Sequence, residues 1–397
     1  MYKFAIIHKM TFLAGIKTKI LIPVIISVGG FFGATYVKNE TPLPKPIETK
    51  IIELKKEQNN KIASSTQKTA TTTKKSVTQN KKTSHTITKT TKIDPVLANK
   101  LEILAKIERG ELLPQEEENN KLRGSVVNIL CTTKLDGDLK PLSGSGVIIS
   151  NKGIILTNAH IGQFFLLKDY KIKDFMTCVG RAGSPAVSTY KLELLYLPES
   201  WLNENAQKIK TENATSTGEG DFAFLGITES VVSNGVLPTP FLYKTPEIED
   251  VFIIGTPVLL SAYPAGFLGG ILIQKDLYLL SSVSNIEKNY YFSKPSTTDL
   301  FSLKGNIISQ KGASGGAVVS LVSGKLIGLI TTATDAKMTG ERDLAAITLP
   351  YIKNVFEEES GQKFDDFLKT DINVLLENFN SKNKDSLVKK ITSVLDK

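Results

Sequence analysis

Gln310-Lys311-Gly312-Ala313-Ser314-Gly315-Gly316-Ala317 is the stretch on which the reading of this chain turns. A serine inside a Gly-x-Ser-Gly-Gly turn has its hydroxyl and the neighbouring backbone N–H groups bared to one spot, because the flanking glycines carry no side chains to cover them. It reads as a nucleophile with its own oxyanion hole. The chain has three histidines, and the one beyond the first 92 residues is His160, in Leu156-Thr157-Asn158-Ala159-His160. The candidate base is thus chosen by elimination.

A serine hydroxyl is a poor nucleophile at neutral pH, so it needs a base to take its proton and a third group to orient that base and stabilise its cation. In Gly220-Asp221-Phe222-Ala223-Phe224-Leu225 an acid abuts an apolar strand, where a carboxylate can be buried against an imidazole. Glu219 lies beside it, but Asp221 directly adjoins the strand and is the candidate third member.

Outward from these motifs, the chain from about 125 to 350 consists of short β-branched runs broken by Gly, Asn, Asp and Pro. Ten runs read as strands: 125–133, 144–150, 153–157, 176–179, 187–197, 222–227, 258–262, 278–283, 316–322 and 325–332. Such a series predicts an all-β barrel or sandwich, and its span fits two small barrels better than one. Asn151-Lys152-Gly153 and Ser323-Gly324 are hairpin turns beside the candidate catalytic residues. Ahead of the strands, residues 93–124 form a helical lead-in, with a helix starting at Asp94-Pro95 and ended by Gly110. Beyond 350 the period becomes helical, with apolar stripes at Phe364, Phe367, Leu368, Ile372, Leu375, Leu376 and Phe379, then at Leu387, Val388, Ile391, Val394 and Leu395. Residues 351–397 are therefore expected as two or three amphipathic helices that brace the barrels or mediate assembly into a homo-oligomer.

The segments 144–150 (Gly-Ser-Gly-Val-Ile-Ile-Ser), 156–160, 221–225 and 312–316, in the order His, Asp, Ser, resemble the chymotrypsin-fold, trypsin-like serine proteases, nearest the bacterial HtrA/Deg branch. Tyr263-Pro264-Ala265-Gly266 is similar to that branch's loop between acid and nucleophile. The resemblance covers 125–350. It implies two perpendicular six-stranded antiparallel barrels with the site in the cleft between them. It also implies that His160 is general base and then acid, that Asp221 orients it, and that Ser314 attacks. The N–H groups of Gly312 and Ser314 would form the oxyanion hole.

The departures from the family pattern carry their own expectations. Ala313 stands where digestive relatives have an aspartate that pairs with a newly cut N-terminus, so activation by N-terminal insertion is not expected. Ala317 replaces the usual proline, and the stretch from Trp201 to Gly220 reads as a polar surface insertion. Ile308, six residues before the nucleophile, falls at the base of the specificity pocket; an apolar floor cannot neutralise Lys or Arg, so small or medium aliphatic residues are expected at P1. The alternative for Ile308 is a plain core residue. Most HtrA relatives continue into a PDZ domain, and the helical stripes after 350 do not resemble one.

At the other end, residues 20–37 carry no charge and are long enough to cross a bilayer core as a helix. The region ahead of this run is long for a signal peptide and no small-x-small cleavage site follows, which favours an uncleaved single-pass anchor in 1–37. Lys3, Lys9, Lys17 and Lys19 precede the run, and Lys38, Lys45 and Lys50 follow it closely. The positive-inside bias is therefore slight, with the protease domain expected outside the cytoplasm.

Residues 38–92 hold 13 lysines against four glutamates, a surplus of 13 − 4 = +9 that equals the formal net charge of the whole chain. The basic balance thus reports a disordered Lys/Thr-rich tether reaching about 40 Å, not a nucleic-acid-binding domain. Cys131 and Cys178 can form one disulfide or remain buried thiols. Neither has metal-ligand spacing, so no metal and no cofactor are expected. The leading expectation is a membrane-anchored serine endopeptidase acting on exported or cell-envelope polypeptides. The alternatives are a non-catalytic protein-binding module on the same scaffold and an interaction protein working through its basic tether.

Overall fold

The β-branched runs pair antiparallel into two closed barrels. The structure is a computed structural model that describes residues 94–135, 139–211, 217–266, 268–292, 297–333 and 343–397. The anchor of 1–37 and the tether of 38–92 lie outside the described residues. In the first barrel, β1 (Val126–Thr133), β2 (Leu142–Ile148), β3 (Ile154–Thr157), β4 (Met176–Ala182), β5 (Val187–Tyr196) and β6 (Ala223–Ser230) are joined in the order β1-β2-β3-β6-β5-β4. The second comprises β7 (Pro257–Ala262), β8 (Leu280–Tyr290), β9 (Leu300–Leu303), β10 (Ala317–Ser320), β11 (Leu326–Ala333) and β12 (Leu344–Thr348), ordered β10-β11-β12-β9-β8-β7. Closure leaves no free sheet edge. Val127, Ile129, Ile155 and Leu225 are among the buried residues of the first barrel, and Val258, Leu260, Phe301, Val318 and Ile330 among those of the second.

Two strands went unread in the sequence. β9, Leu-Phe-Ser-Leu, is buried at every position and so shows no alternation, while β12, Leu-Ala-Ala-Ile-Thr, has a composition equally suited to a helix. They complete six strands per barrel.

Helices fill the ends. α1 (Pro95–Glu108) is capped by the Asp94 carboxylate, which accepts from Val96 N at 3.0 Å. A second lead-in helix, α2 (Gln115–Arg123), follows; its acidic first turn suits a helix N-terminus, but its low hydropathy concealed it. α3 (Ala159–Gly162) carries His160. α4 (Glu199–Asn205) corrects the expected polar insertion, because Trp201 and Leu202 are buried beside Leu387, Ile391 and Leu395. α5 (Gly270–Lys275) lies between β7 and β8, where buried Arg181 donates from Nη1 to the carbonyls of Ile273 and Gln274 at 2.9 and 3.0 Å. A cation at a helix C-terminus meets the negative end of its dipole.

The C-terminal segment forms four helices rather than two or three: α6 (Leu349–Ser360), α7 (Phe364–Lys369), α8 (Ile372–Lys382) and α9 (Lys384–Leu395). The first apolar stripe is divided at Thr370-Asp371, where the Asp371 carboxylate caps α8 by accepting from Asn373 N at 2.9 Å. Phe356, Phe364 and Phe367 close on Phe224 of β6, with ring centroids 5.4, 6.0 and 5.0 Å away. The helices thus extend the first barrel's core. Among the described residues no helix is long and apolar enough to cross a membrane.

Two further links tie distant parts of the chain together. Cys131 of β1 and Cys178 of β4 face each other in register and are joined as a disulfide, which resolves the two readings of those cysteines. Lys244, in the connection between the barrels, meets Glu118 of α2 at 2.7 Å with both side chains buried. Burial pushes the Glu118 carboxyl up, but hydrogen bonds from Lys244 and Lys121 pull it below the ordinary carboxylate range. A buried pair broken on one side leaves an uncompensated charge. Lys244→Met should therefore destabilise the protein by about 3 kcal/mol, toward the lower end for such losses because Lys121 still reaches Glu118 at 3.1 Å. Urea unfolding at neutral pH measures this. The deficit should shrink as the pH falls through the carboxylate range toward the lowered wild-type value, because without Lys244 burial pushes the Glu118 carboxyl up and its protonation removes the stranded charge.

Candidate active site

β3 is a fully buried Ile-Ile-Leu-Thr run that ends at Asn158, whose extended backbone turns into the single helical turn of α3. His160 sits in that turn, where the first N–H groups lack intrahelical partners. Asp221 supplies one: its Oδ1 accepts from His160 N at 3.0 Å. The same carboxylate faces the ring, with Nδ1 2.9 Å from Oδ2 and 3.2 Å from Oδ1. Thr331 Oγ1 donates to Oδ2 at 2.8 Å, and Asn158 Nδ2 to the Asp221 carbonyl at 2.8 Å. Asp221 is 1% exposed, whereas Glu219, the competing acid, is exposed to solvent.

These contacts set the charges. Burial pushes the Asp221 carboxyl up, but the His160 charge, its ring and backbone donors and Thr331 together hold it below the ordinary range. Burial pulls the His160 imidazole down, while the charge and hydrogen bond of Asp221 raise it by more, leaving it above an ordinary histidine. The carboxylate fixes the tautomer with the proton on Nδ1, so Nε2 is the atom free to accept one.

Ser314 precedes β10 in the second barrel and is partly exposed. Its Oγ donates to the Thr331 carbonyl at 3.3 Å, and the hydrogen bond to His160 that proton transfer requires is not made here. Sites without substrate often hold this bond open and form it on binding. The backbone around Ser314 is arranged for an anion. The Lys311 carbonyl accepts from Ala265 N at 2.7 Å and the Ala313 carbonyl from Gly316 N at 2.8 Å. In a trans peptide the C=O and N–H point oppositely, so the Gly312 and Ser314 N–H groups are directed away from these partners. Neither donates to a described acceptor. Glycine is required at 312 and 315: both have positive φ, and side chains there would meet the Tyr263 carbonyl and overlap the Ser145 carbonyl, respectively.

The structure therefore brings His160 and Asp221 into contact and places Ser314 across the junction between the barrels. Ile308 is fully buried among Phe252, Leu260 and Phe301 of the second-barrel core. Ala313 is likewise buried there, and its methyl offers nothing to pair with an N-terminal amine. Sequence reasoning missed Thr331, which touches both Asp221 and Ser314, and Tyr351 of α6, whose hydroxyl accepts from Gly220 N at 3.1 Å beside the acid. A threonine within an apolar strand gives no local signal of either contact.

A histidine–aspartate pair facing a serine turn with two directed N–H groups, on paired six-stranded barrels, defines the chymotrypsin-like class of serine peptidases. Residues 144–329 match the family model of the trypsin-like peptidase domain. No curated protein sequence matches it. Among solved structures it is similar to the Rv3671c protease from M. tuberculosis in its active form, at 16% identity and TM-score 0.36, covering 67% of this chain and 87% of that one. It is also similar to the HtrA-type protease AlgW with a tripeptide, at 17% identity and TM-score 0.39, covering 63% and 65%.

Because the imidazole must be neutral to accept a proton, its raised pKa predicts that kcat/KM falls on the acid side with an apparent pKa above that of ordinary histidine. Asp221→Asn removes what raises it, so the acid limb should move to lower pH while kcat drops by up to about 10⁴-fold. A pH–rate profile of both proteins checks the direction and the loss together.

Proposed function

We propose that this protein is a membrane-anchored serine endopeptidase that uses His160, Asp221 and Ser314 as a catalytic triad on exported or cell-envelope polypeptides. The observation that carries the reading is the contact of buried Asp221 with part-exposed His160, across the barrel junction from a serine turn whose Gly312 and Ser314 N–H groups donate to no described backbone acceptor. On substrate binding Ser314 Oγ turns from the Thr331 carbonyl to His160 Nε2, gives up its proton there and bonds to the scissile carbonyl carbon. The oxyanion so formed is held by the Gly312 and Ser314 N–H groups, each such donor being worth about 3 kcal/mol of barrier. His160 then passes its proton to the departing amine, leaving an acyl-enzyme. Water, deprotonated by the same nitrogen, releases the acid and restores Ser314.

Support for the location is of two kinds. The uncharged run of 20–37 is long enough for a bilayer helix, and the Cys131–Cys178 disulfide suits an oxidising compartment outside the cytoplasm. The basic tether would let the catalytic domain range about 40 Å from the membrane. For specificity, Ile308 occupies the position of the pocket floor in the family's order with an apolar side chain, which is fully buried in the second-barrel core.

Labelling by a fluorophosphonate probe tests the chemistry. Wild type should react and Ser314→Ala should not; absence of wild-type labelling, even with peptide substrates present as activators, would favour the non-catalytic binding module. A panel of peptides differing at P1 tests the pocket: Val, Ala or Leu should exceed Arg and Lys in kcat/KM, and a preference for a basic P1 residue would refute the apolar floor.

A further inference from the structure

Gly312 is held in part by a residue of the other barrel. As a glycine at φ +90° it could rotate at little steric cost, and a rotated Lys311–Gly312 peptide would carry its N–H away from the substrate oxygen. Both peptides flanking Gly312 are nevertheless held. The preceding carbonyl, of Lys311, accepts from Ala265 N at 2.7 Å, and the following one, of Gly312, accepts from Ser145 Oγ at 2.8 Å.

Ser145 lies on β2 with no exposed surface. Its hydroxyl also accepts from Tyr263 N at 2.9 Å, two residues before the Ala265 that holds Lys311. One hydroxyl, with one proton to give and lone pairs to receive, therefore touches both sides of the clamp. The rest of the residue adds to the grip. Ser145 N donates to the Ser314 carbonyl at 2.8 Å, and the Ser145 carbonyl accepts from Thr157 Oγ1 at 2.7 Å, three residues before the base.

We propose that Ser145 is a positioning residue for the oxyanion hole, fixing from the first barrel, through its hydroxyl, the Gly312 carbonyl that adjoins the peptide whose N–H enters the hole. This deepens the peptidase reading above and rests on it. An alanine at 145 keeps the backbone contacts but leaves two buried groups, the Gly312 carbonyl and the Tyr263 N–H, without their partner. The Gly312 carbonyl then has no anchor in the first barrel, the loop is held only by the bonds of Ala265 N to the Lys311 carbonyl and Ala313 N to the Gln310 carbonyl, and the Gly312 N–H loses the fixed position from which it acts on the transition state rather than on bound substrate.

Steady-state kinetics of Ser145→Ala on the full chain, with Ser150→Ala as a matched control, tests this. The Ser150 hydroxyl makes the same kind of exchange far from the site's chemistry, donating to the Leu368 carbonyl at 2.6 Å and accepting from Lys152 N at 3.1 Å. Ser145→Ala should lower kcat roughly 10²-fold, the loss that follows removal of one oxyanion donor, with KM changed by no more than about twofold. Ser150→Ala should lower the melting temperature comparably and leave kcat unchanged. The proposal is overturned if Ser145→Ala keeps kcat within about threefold of wild type, if its loss appears in KM instead, or if Ser150→Ala matches it. Should Ser145→Ala not fold, Ser145→Cys, a weaker donor of similar shape, takes its place, and wild-type kcat in that protein overturns the proposal equally. A wild type that hydrolyses nothing removes the peptidase reading and this inference with it, whereas an active wild type alongside an unimpaired Ser145→Ala removes this inference alone.

Discussion

A carboxylate that is 1% exposed must be surrounded by donors or it will not stay charged. Asp221 meets that demand with His160 N, His160 Nδ1 and Thr331 Oγ1, and the last of these belongs to the second barrel. The orientation of the base thus depends on the barrels being in register with each other. The nucleophile loop meets a corresponding demand in the opposite direction, because its Gly312 and Ser314 carbonyls are bound by Ser145 of the first barrel. Each half of the site is completed by the other, so separating the barrels would expose a charge on one side and unpaired carbonyls on the other.

How much of this could be read from the chain follows from what each residue does. Ser314, His160 and Asp221 were legible because their chemistry is rare or because glycines mark their turns. Most strands were legible because buried β-branched runs end at Gly, Asn or Pro. Ser145 and Thr331 were not, since a Ser or Thr within a strand looks the same whether it bonds its neighbour or reaches across to another barrel. β9 and β12 lacked alternation, and α4 was mistaken for surface because its two buried residues, Trp201 and Leu202, stand among Glu and Asn. The break between α7 and α8 was visible in principle, as Thr370-Asp371 is a good cap before Ile372, but the continuous apolar stripe across it suggested one helix.

The C-terminal helices change what the first barrel is. Phe356, Phe364 and Phe367 surround Phe224, three residues after Asp221, and Tyr351 accepts from Gly220, one residue before it. Burying aromatic rings of this size is worth about 2 kcal/mol each, which makes the helices part of the core under the acid. They do not form an appended domain that could be removed without disturbing the site.

The Cys131–Cys178 bond encloses a segment of sequence separation 47, and His160 lies inside it. On chain-entropy grounds closing a ring of that size is worth about 4 kcal/mol. Its topological meaning is separate from that energy. Any single cut in the chain between 132 and 177 leaves the two pieces covalently joined, with the base still attached to both. A single proteolytic nick in that segment therefore releases no fragment until the disulfide is reduced.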